Sequence, residues 1–249
     1  MHRRWTNVFA WPVHDHRYNA GGYGVCEAAD CAIVLGMADP SEPSGKPDLA
    51  AAYDLSSPED NRRLYRKWAD DYDETFIAAQ GYEYPARIAE IFDRRGGAGP
   101  VLDVGCGTGA VAEALSARPV DGVDISPEML SVAAAKGHYR QLIETDLTAS
   151  PDLERGAYQG VVSAGTFTHG HVGPDALLPL IDAAAPGALF VIGVNAVVFA
   201  RNDFQVVLDR LLATGAIRDL ELIEGRIYRS DAGHDHADDL FCAAVFQKT

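Results

Sequence analysis

The chain has 249 residues, 47% of them hydrophobic, with four cysteines and a formal net charge of −15. That length supports one well-cored domain with appendages, and an acidic chain without a basic run opposes nucleic-acid binding, which needs clustered Lys and Arg on the phosphates. Cys26, Cys31, Cys106 and Cys242 have neither zinc-ligand spacing nor a compact disulfide framework, which fits a reducing cytoplasm.

Residues 1–55 lack sustained periodicity and contain Gly21-Gly22 and the Pro/Ser/Gly-rich stretch Pro40 to Pro47, so they are expected to be an extension and linker ahead of a domain over 56–249. His14-Asp15-His16 has no further ligands at motif spacing and reads as a solvated tail. The apolar run Cys31 to Ala38 follows Glu27 and Asp30 and lies far from the start, unlike a signal segment. Ala188 to Ala200 is interrupted by Asn195 and falls short of the roughly 20 residues a membrane span needs. No membrane is expected as a partner.

Ser57-Pro58-Glu59-Asp60 opens a helix by cap, proline and first-turn acids. Leu64, Tyr65, Trp68, Tyr72 and Phe76 then recur at helical spacing, as an amphipathic helix packing its aromatics on a core would have them. A second helix covers Pro85 to Arg95 and stops at Gly96-Gly97. A buried strand, Val101 to Val104, leads into the turn Gly105-Cys106-Gly107-Thr108-Gly109, a helix, and a second strand, Val120 to Asp124. Ser126-Pro127-Glu128 starts the next helix. A third strand should end near Asp146 and a fourth near Gly165, with a helix over Asp175 to Ala185 and a fifth strand over Ala188 to Asn195. Leu220 to Arg229 and Leu240 to Gln247 are two further strands around the polar loop Ser230 to Asp239. Strands alternating with helices give an α/β, doubly wound parallel sheet.

Ligands of such sheets sit outside the carboxyl ends of the strands, and Asp103, Asp124, Asp146 and the loop Gly165 to His171 all fall there. The turn alone also satisfies the dinucleotide form through Gly105, Gly107 and Ala110. Asp103 tips the balance, because a pyrophosphate gains nothing from a second anion, whereas a ligand with an ammonium and a sulfonium does. Gly105, Gly107 and Gly109 allow backbone to approach that ligand closely. Asp124 can accept both ribose hydroxyls or cap the helix beside Ser126. Cys106 reads as a small packing residue. His169 and His171 are the candidate general bases, or else shape their loop through hydrogen bonds. His234, His236 and the acids beside them read as a solvated loop.

From about Tyr65 to Lys248 the chain resembles the class I (Rossmann-like) S-adenosylmethionine-dependent methyltransferases, through Val101 to Gly109, Gly122 to Leu130 and Thr145-Asp146-Leu147. Trp68 to Glu74 and Ala164 to Val172 look like the branch typified by the Williams–Beuren-region protein. The resemblance implies a seven-stranded, mostly parallel sheet ending in an antiparallel hairpin. It also implies an N-terminal helical lid whose Tyr65, Trp68 and Tyr72 touch the cofactor S-adenosyl-L-methionine, and an adenine edge held by Asp146 and Leu147. Ile125, Met129, Gly165 and Cys106 join the implied cofactor set. The implied reaction is methyl transfer to an unidentified small-molecule O or N acceptor. An NAD-dependent reductase and a non-catalytic cofactor-binding protein are the alternatives, and the oligomeric state is not encoded in any pattern.

Overall fold

The computed structural model describes residues 63–249 apart from 65, 67, 70, 71, 116, 117, 150 and 169–171. The expected extension over 1–55, the helix start at Ser57, and the site residues Tyr65, His169 and His171 lie outside the described residues.

Seven strands form one sheet in the order β3-β2-β1-β4-β5-β7-β6. β1 (Val101–Val104), β2 (Val120–Asp124), β3 (Gln141–Glu144), β4 (Tyr158–Phe167) and β5 (Ala184–Asn195) run parallel, and β6 (Ile217–Arg226) and β7 (Leu240–Lys248) are antiparallel additions. The central strands are apolar without alternation because helices cover both faces. One buried cluster gathers Phe167, Leu180, Phe190 and Phe204, and the other Ile88, Phe92, Val101 and Val191. The doubly wound architecture is therefore as expected. The strand order reverses at β1, which has β2 on one side and β4 on the other, opening a crevice at their carboxyl ends.

The helices are α1 (Tyr84–Arg94), α2 (Ala110–Ala114), α3 (Pro127–Lys136), α4 (Leu177–Ala183), α5 (Ala196–Arg201) and α6 (Phe204–Ala213). α3 begins as its residues dictate, with Ser126 Oγ accepting from the Met129 amide at 3.2 Å and Pro127 in the first turn. α5 and α6 go beyond the sequence reading, which places no helix after the break that Asn195 makes in the apolar stretch Ala188 to Ala200. Asn195 divides it by ending β5 and accepting from the amides of Val197 and Val198 at 3.0 and 3.3 Å.

Other boundaries also move. β3 ends at Glu144, short of Asp146, while β4 continues through Gly165 to Phe167 across a register shift between Ser163 and Phe167. Residues 227–229 leave β6 and pair with 81–83: the Glu83 amide donates to Ile227 O at 3.1 Å and the Arg229 amide to Gly81 O at 2.8 Å. β7 lies between β5 and β6, and its run Phe241 to Phe246 is buried throughout, whereas β6 is largely exposed or half-buried.

Phe92 anchors α1 on the sheet by lying over two glycines. A Cβ on Gly97 or Gly160 would stand 2.2 or 2.3 Å from its ring. Gly160→Ala is therefore expected to destabilise the protein by about 1–3 kcal/mol through overpacking, read as a lower urea midpoint with an unchanged slope.

Candidate active site

The crevice at the strand ends is a cavity floored by the glycine turn after β1 and the residues that follow β2, β3 and β4. Gly105 and Cys106 both donate their amides to Val123 O, at 2.8 and 2.9 Å, which pins the turn to β2. Gly105 has φ +68° and a Cβ there would meet Thr166 Oγ1 at 1.8 Å, so both conformation and space require glycine. Gly107, at φ +51°, has nothing within 4 Å of its would-be Cβ. Its backbone thus lies open to an incoming ligand.

Asp124 is tied to this turn. Its Oδ2 accepts from the Gly107 amide at 2.8 Å and its Oδ1 from the Ser126 amide at 2.9 Å. Ser126 itself caps α3, leaving Asp124 to link the turn to the helix start. Burial pushes the Asp124 carboxyl up, against the pull of amides from Ser126, Gly107 and Ile125. Each oxygen keeps lone-pair capacity for a further donor.

Asp103 lies under the turn, 0% exposed, and does not itself line the cavity. Tyr139 Oη donates to its Oδ2 at 2.7 Å, and among the described residues Oδ1 has no partner. Burial, and to a smaller degree the Asp124 charge, push its pKa up to about 7 against the pull of the Tyr139 bond. Tyr139 was not singled out in the sequence, since nothing in the loop before β3 signals contact across 36 positions; its ring also packs 3.0 Å from a Cβ built on Gly109. Gly109 caps α2 at φ +96° and does not line the cavity. Cys106 does line it, and its Sγ sits 2.8 Å from a Cβ built on Gly122. Burial foremost, then Asp124 and Asp103, push that thiol well up, so it is neutral.

The aromatic stripe divides. Tyr72 lines the cavity and stacks on Phe76 at 4.9 Å, while Trp68, 1% exposed, stacks behind Phe76 at 6.3 Å and does not line it. The segment Asp73–Ala78 that follows Tyr72 and carries Phe76 is π-helical, a form often found at functional sites. Asp73 fastens it to the floor: Thr108 Oγ1 donates to its Oδ1 at 2.6 Å, and Lys136 pairs with its other oxygen. Arg66 and Glu128 add a 2.9 Å ion pair. These fastenings join residues 35 to 63 positions apart and had no motif to announce them.

Ile125, Met129, Asp146, Leu147 and Gly165 all line the cavity. Asp146 Oδ1 accepts from the Thr148 amide and hydroxyl at 2.8 and 2.6 Å, closing a local turn after β3. Thr168 and Val172, on either side of residues 169–171, line it as well. The Ser230 to Asp239 loop is not merely solvated: His234 Nε2 lies 3.2 Å from Gln80 O and its ring meets Tyr228 edge-on at 4.6 Å. Among the described residues no group of His, Cys, Asp and Glu is placed to hold a metal.

Residues 101–186 match the family described as a methyltransferase domain. The surrounding fold is the Rossmann-like methyltransferase fold. An S-adenosylmethionine-dependent methyltransferase of the TehB-like type from Corynebacterium glutamicum is 25% identical, with 73% of this chain and 98% of that one covered and a TM-score of 0.52. The N-methyltransferase NodS from Bradyrhizobium japonicum, solved with S-adenosyl-L-homocysteine, is 15% identical over 75% of this chain and 97% of that one, with a TM-score of 0.56. A Methanococcus maripaludis protein assigned to the same S-adenosylmethionine-dependent class is 18% identical over 86% and 98%, at 0.53. A search of curated proteins returns no match. Among the described residues no helix is long and apolar enough to cross a membrane.

The methyltransferase cofactor suits the donor set: a turn backed by two acids, one with an orphaned buried oxygen, favours a cationic head and opposes a pyrophosphate. A cation bound over the turn lowers the Asp103 pKa from about 7, so binding releases a proton. S-adenosylmethionine affinity is expected to rise by up to about tenfold per unit from about pH 5 to 7 and then level off, with Asp103→Asn abolishing the slope in calorimetry. The converse is expected of the free protein. Because the folded pKa exceeds the unfolded value of about 3.9, stability falls as pH rises from about 4 to 7, and Asp103→Asn removes that fall from the thermal midpoint.

Proposed function

We propose that this protein transfers the methyl group of S-adenosyl-L-methionine to a small-molecule O or N acceptor. The reading is carried by the glycine turn with Asp103 beneath it and Asp124 beside it, at the point where the strand order reverses. Asp124 accepts the ribose hydroxyls with the lone pairs its backbone donors leave free. Asp146 and Leu147 hold the adenine edge, between the apolar walls Ile125 and Met129. Tyr72 presents a ring to the sulfonium, and Gly165 lets the backbone near the end of β4 come close. The segments Trp68 to Glu74 and Ala164 to Val172 support the Williams–Beuren-region branch within the class.

The bound cofactor supplies an electrophilic methyl on a sulfonium leaving group. The chain's part is chiefly to orient the two reactants and exclude water. His169 and His171 stand in sequence between two cavity-lining residues and take up the proton if the acceptor is protonated at neutral pH. The charge of −15 and a cavity wall without described basic residues support a small molecule over a nucleic acid. Residues 56–249 form the catalytic unit in this reading, and a cytoplasmic setting agrees with the four unpatterned cysteines.

Calorimetry tests the cofactor: S-adenosylmethionine and its demethylated product bind, NAD does not, and Asp124→Ala weakens binding by on the order of tenfold or more. Equal affinity in wild type and variant overturns the assignment. A screen of metabolites for transfer of an isotope-labelled methyl group then tests catalysis. With an acceptor in hand, His169→Ala or His171→Ala is expected to slow single-turnover methylation by roughly 10²-fold while sparing cofactor affinity. Wild-type rates in both variants leave orientation as the whole mechanism.

A further inference from the structure

The cavity has two chemically different halves. Toward β2 and β3 it carries Asp124 and Asp146, which are, among the described residues, the only acidic side chains lining it. Toward β4 and β5 it is walled by Phe76, Tyr82, Tyr84, Ile227 and Tyr228. These rings hold one another in place: Phe76 meets Tyr82 edge-on at 5.5 Å, Tyr82 meets Tyr84 at 6.1 Å and Tyr228 at 5.6 Å, and Tyr84 stacks on Phe241 at 4.6 Å.

Tyr84 stands apart within this wall. It is 2% exposed, and among the described residues its hydroxyl has no hydrogen-bond partner. An unpaired buried hydroxyl is costly, yet the fold makes room for this one. Gly193 lies beneath it, where a Cβ would stand 2.4 Å from Oη, and Asn195 follows two residues along the same strand face.

We propose that the β4–β5 half of the cavity is the acceptor subsite, that it takes an uncharged aromatic molecule, and that Tyr84 Oη donates a hydrogen bond to an oxygen of that molecule. The inference rests on the methyltransferase reading, which leaves this half of the cavity to the acceptor. The rings supply offset and edge contacts for an aromatic guest. A carboxylate or phosphate would meet no described cation here and two carboxylates across the turn. Burial foremost, with Tyr82 and Cys242 nearby, pushes the Tyr84 pKa well up, so the hydroxyl remains a neutral donor at any working pH. Tyr84 acts in this arrangement as a specificity determinant and takes no proton from the acceptor.

Three probes of one shape test this on the full chain: coumarin, which has a lactone carbonyl; 2H-chromene, which lacks it; and coumarin-3-carboxylate, which adds a charge. Ligand-observed NMR titration is expected to rank coumarin first and the carboxylate last. Tyr84→Phe keeps the ring on Phe241 and should lower coumarin affinity about three- to tenfold while leaving chromene affinity unchanged. The same variant should raise the thermal midpoint of the free protein, because it removes the unpaired hydroxyl. Equal losses for coumarin and chromene, no loss for either, preferred binding of the carboxylate, or a lowered midpoint each overturn the proposal. Calorimetry with S-adenosylhomocysteine on the same samples separates the two readings. Nucleoside binding unaffected by Tyr84→Phe, without carbonyl discrimination, overturns the subsite alone. Absence of nucleoside binding in the wild type overturns the cofactor assignment on which the subsite rests.

Discussion

A carboxyl group held out of water beneath a glycine turn is the constraint around which the site is organised. Asp103 is fully buried, with one oxygen bonded to Tyr139 and the other unpaired among the described residues. Such a group is tolerated where the surrounding structure leaves it no alternative and a function uses the strain. The turn above has that rigidity. Two of its amides bond to Val123 O, a third to Asp124, and its three glycines occupy conformations that other residues rarely adopt.

The roof follows from the floor. Asp73 bonds to Thr108 in the turn and pairs with Lys136 at the end of α3, so the π-helical segment above the cavity is held by the elements that position the ligand. Its far end is held separately, by the pairing of 81–83 with 227–229 and by the His234 contacts to Gln80 and Tyr228. Exposed ion pairs such as Arg66–Glu128 contribute little individually. A roof fastened by a few polar links and stacked rings is suited to opening and closing over a ligand.

The division of labour within the cavity follows from topology. β2 and β3 end on one side of the turn and contribute acids and short apolar walls, while β4 and β5 end on the other and meet the aromatic residues of the roof. Two glycines adapt this second side to large rings. Gly193 admits the Tyr84 hydroxyl, and Gly165, at φ +85°, admits that of Tyr82, which would stand 2.6 Å from a Cβ there. Thus the strands that carry the fold also set the space available above them.

By itself the sequence determined the features that local chemistry and periodicity encode. The run Val101 to Val104, the three turn glycines, the Ser126-Pro127 helix start and the alternation of strands and helices were each legible because a few adjacent residues specify them through sterics, capping or a repeating apolar face. Asp124, Ile125, Met129, Asp146, Leu147 and Gly165, which the motifs and the family resemblance single out for a ligand, line the cavity. Only tertiary structure decided that Trp68 turns into the core while Tyr72 faces the cavity, that β7 lies inside β6, that α5 and α6 follow Asn195, and that Tyr139 reaches Asp103 and Tyr84 overlies Gly193. Each of these depends on packing between segments far apart in the chain. The energy of such contacts lies in shape and burial, which no local spacing of residues records.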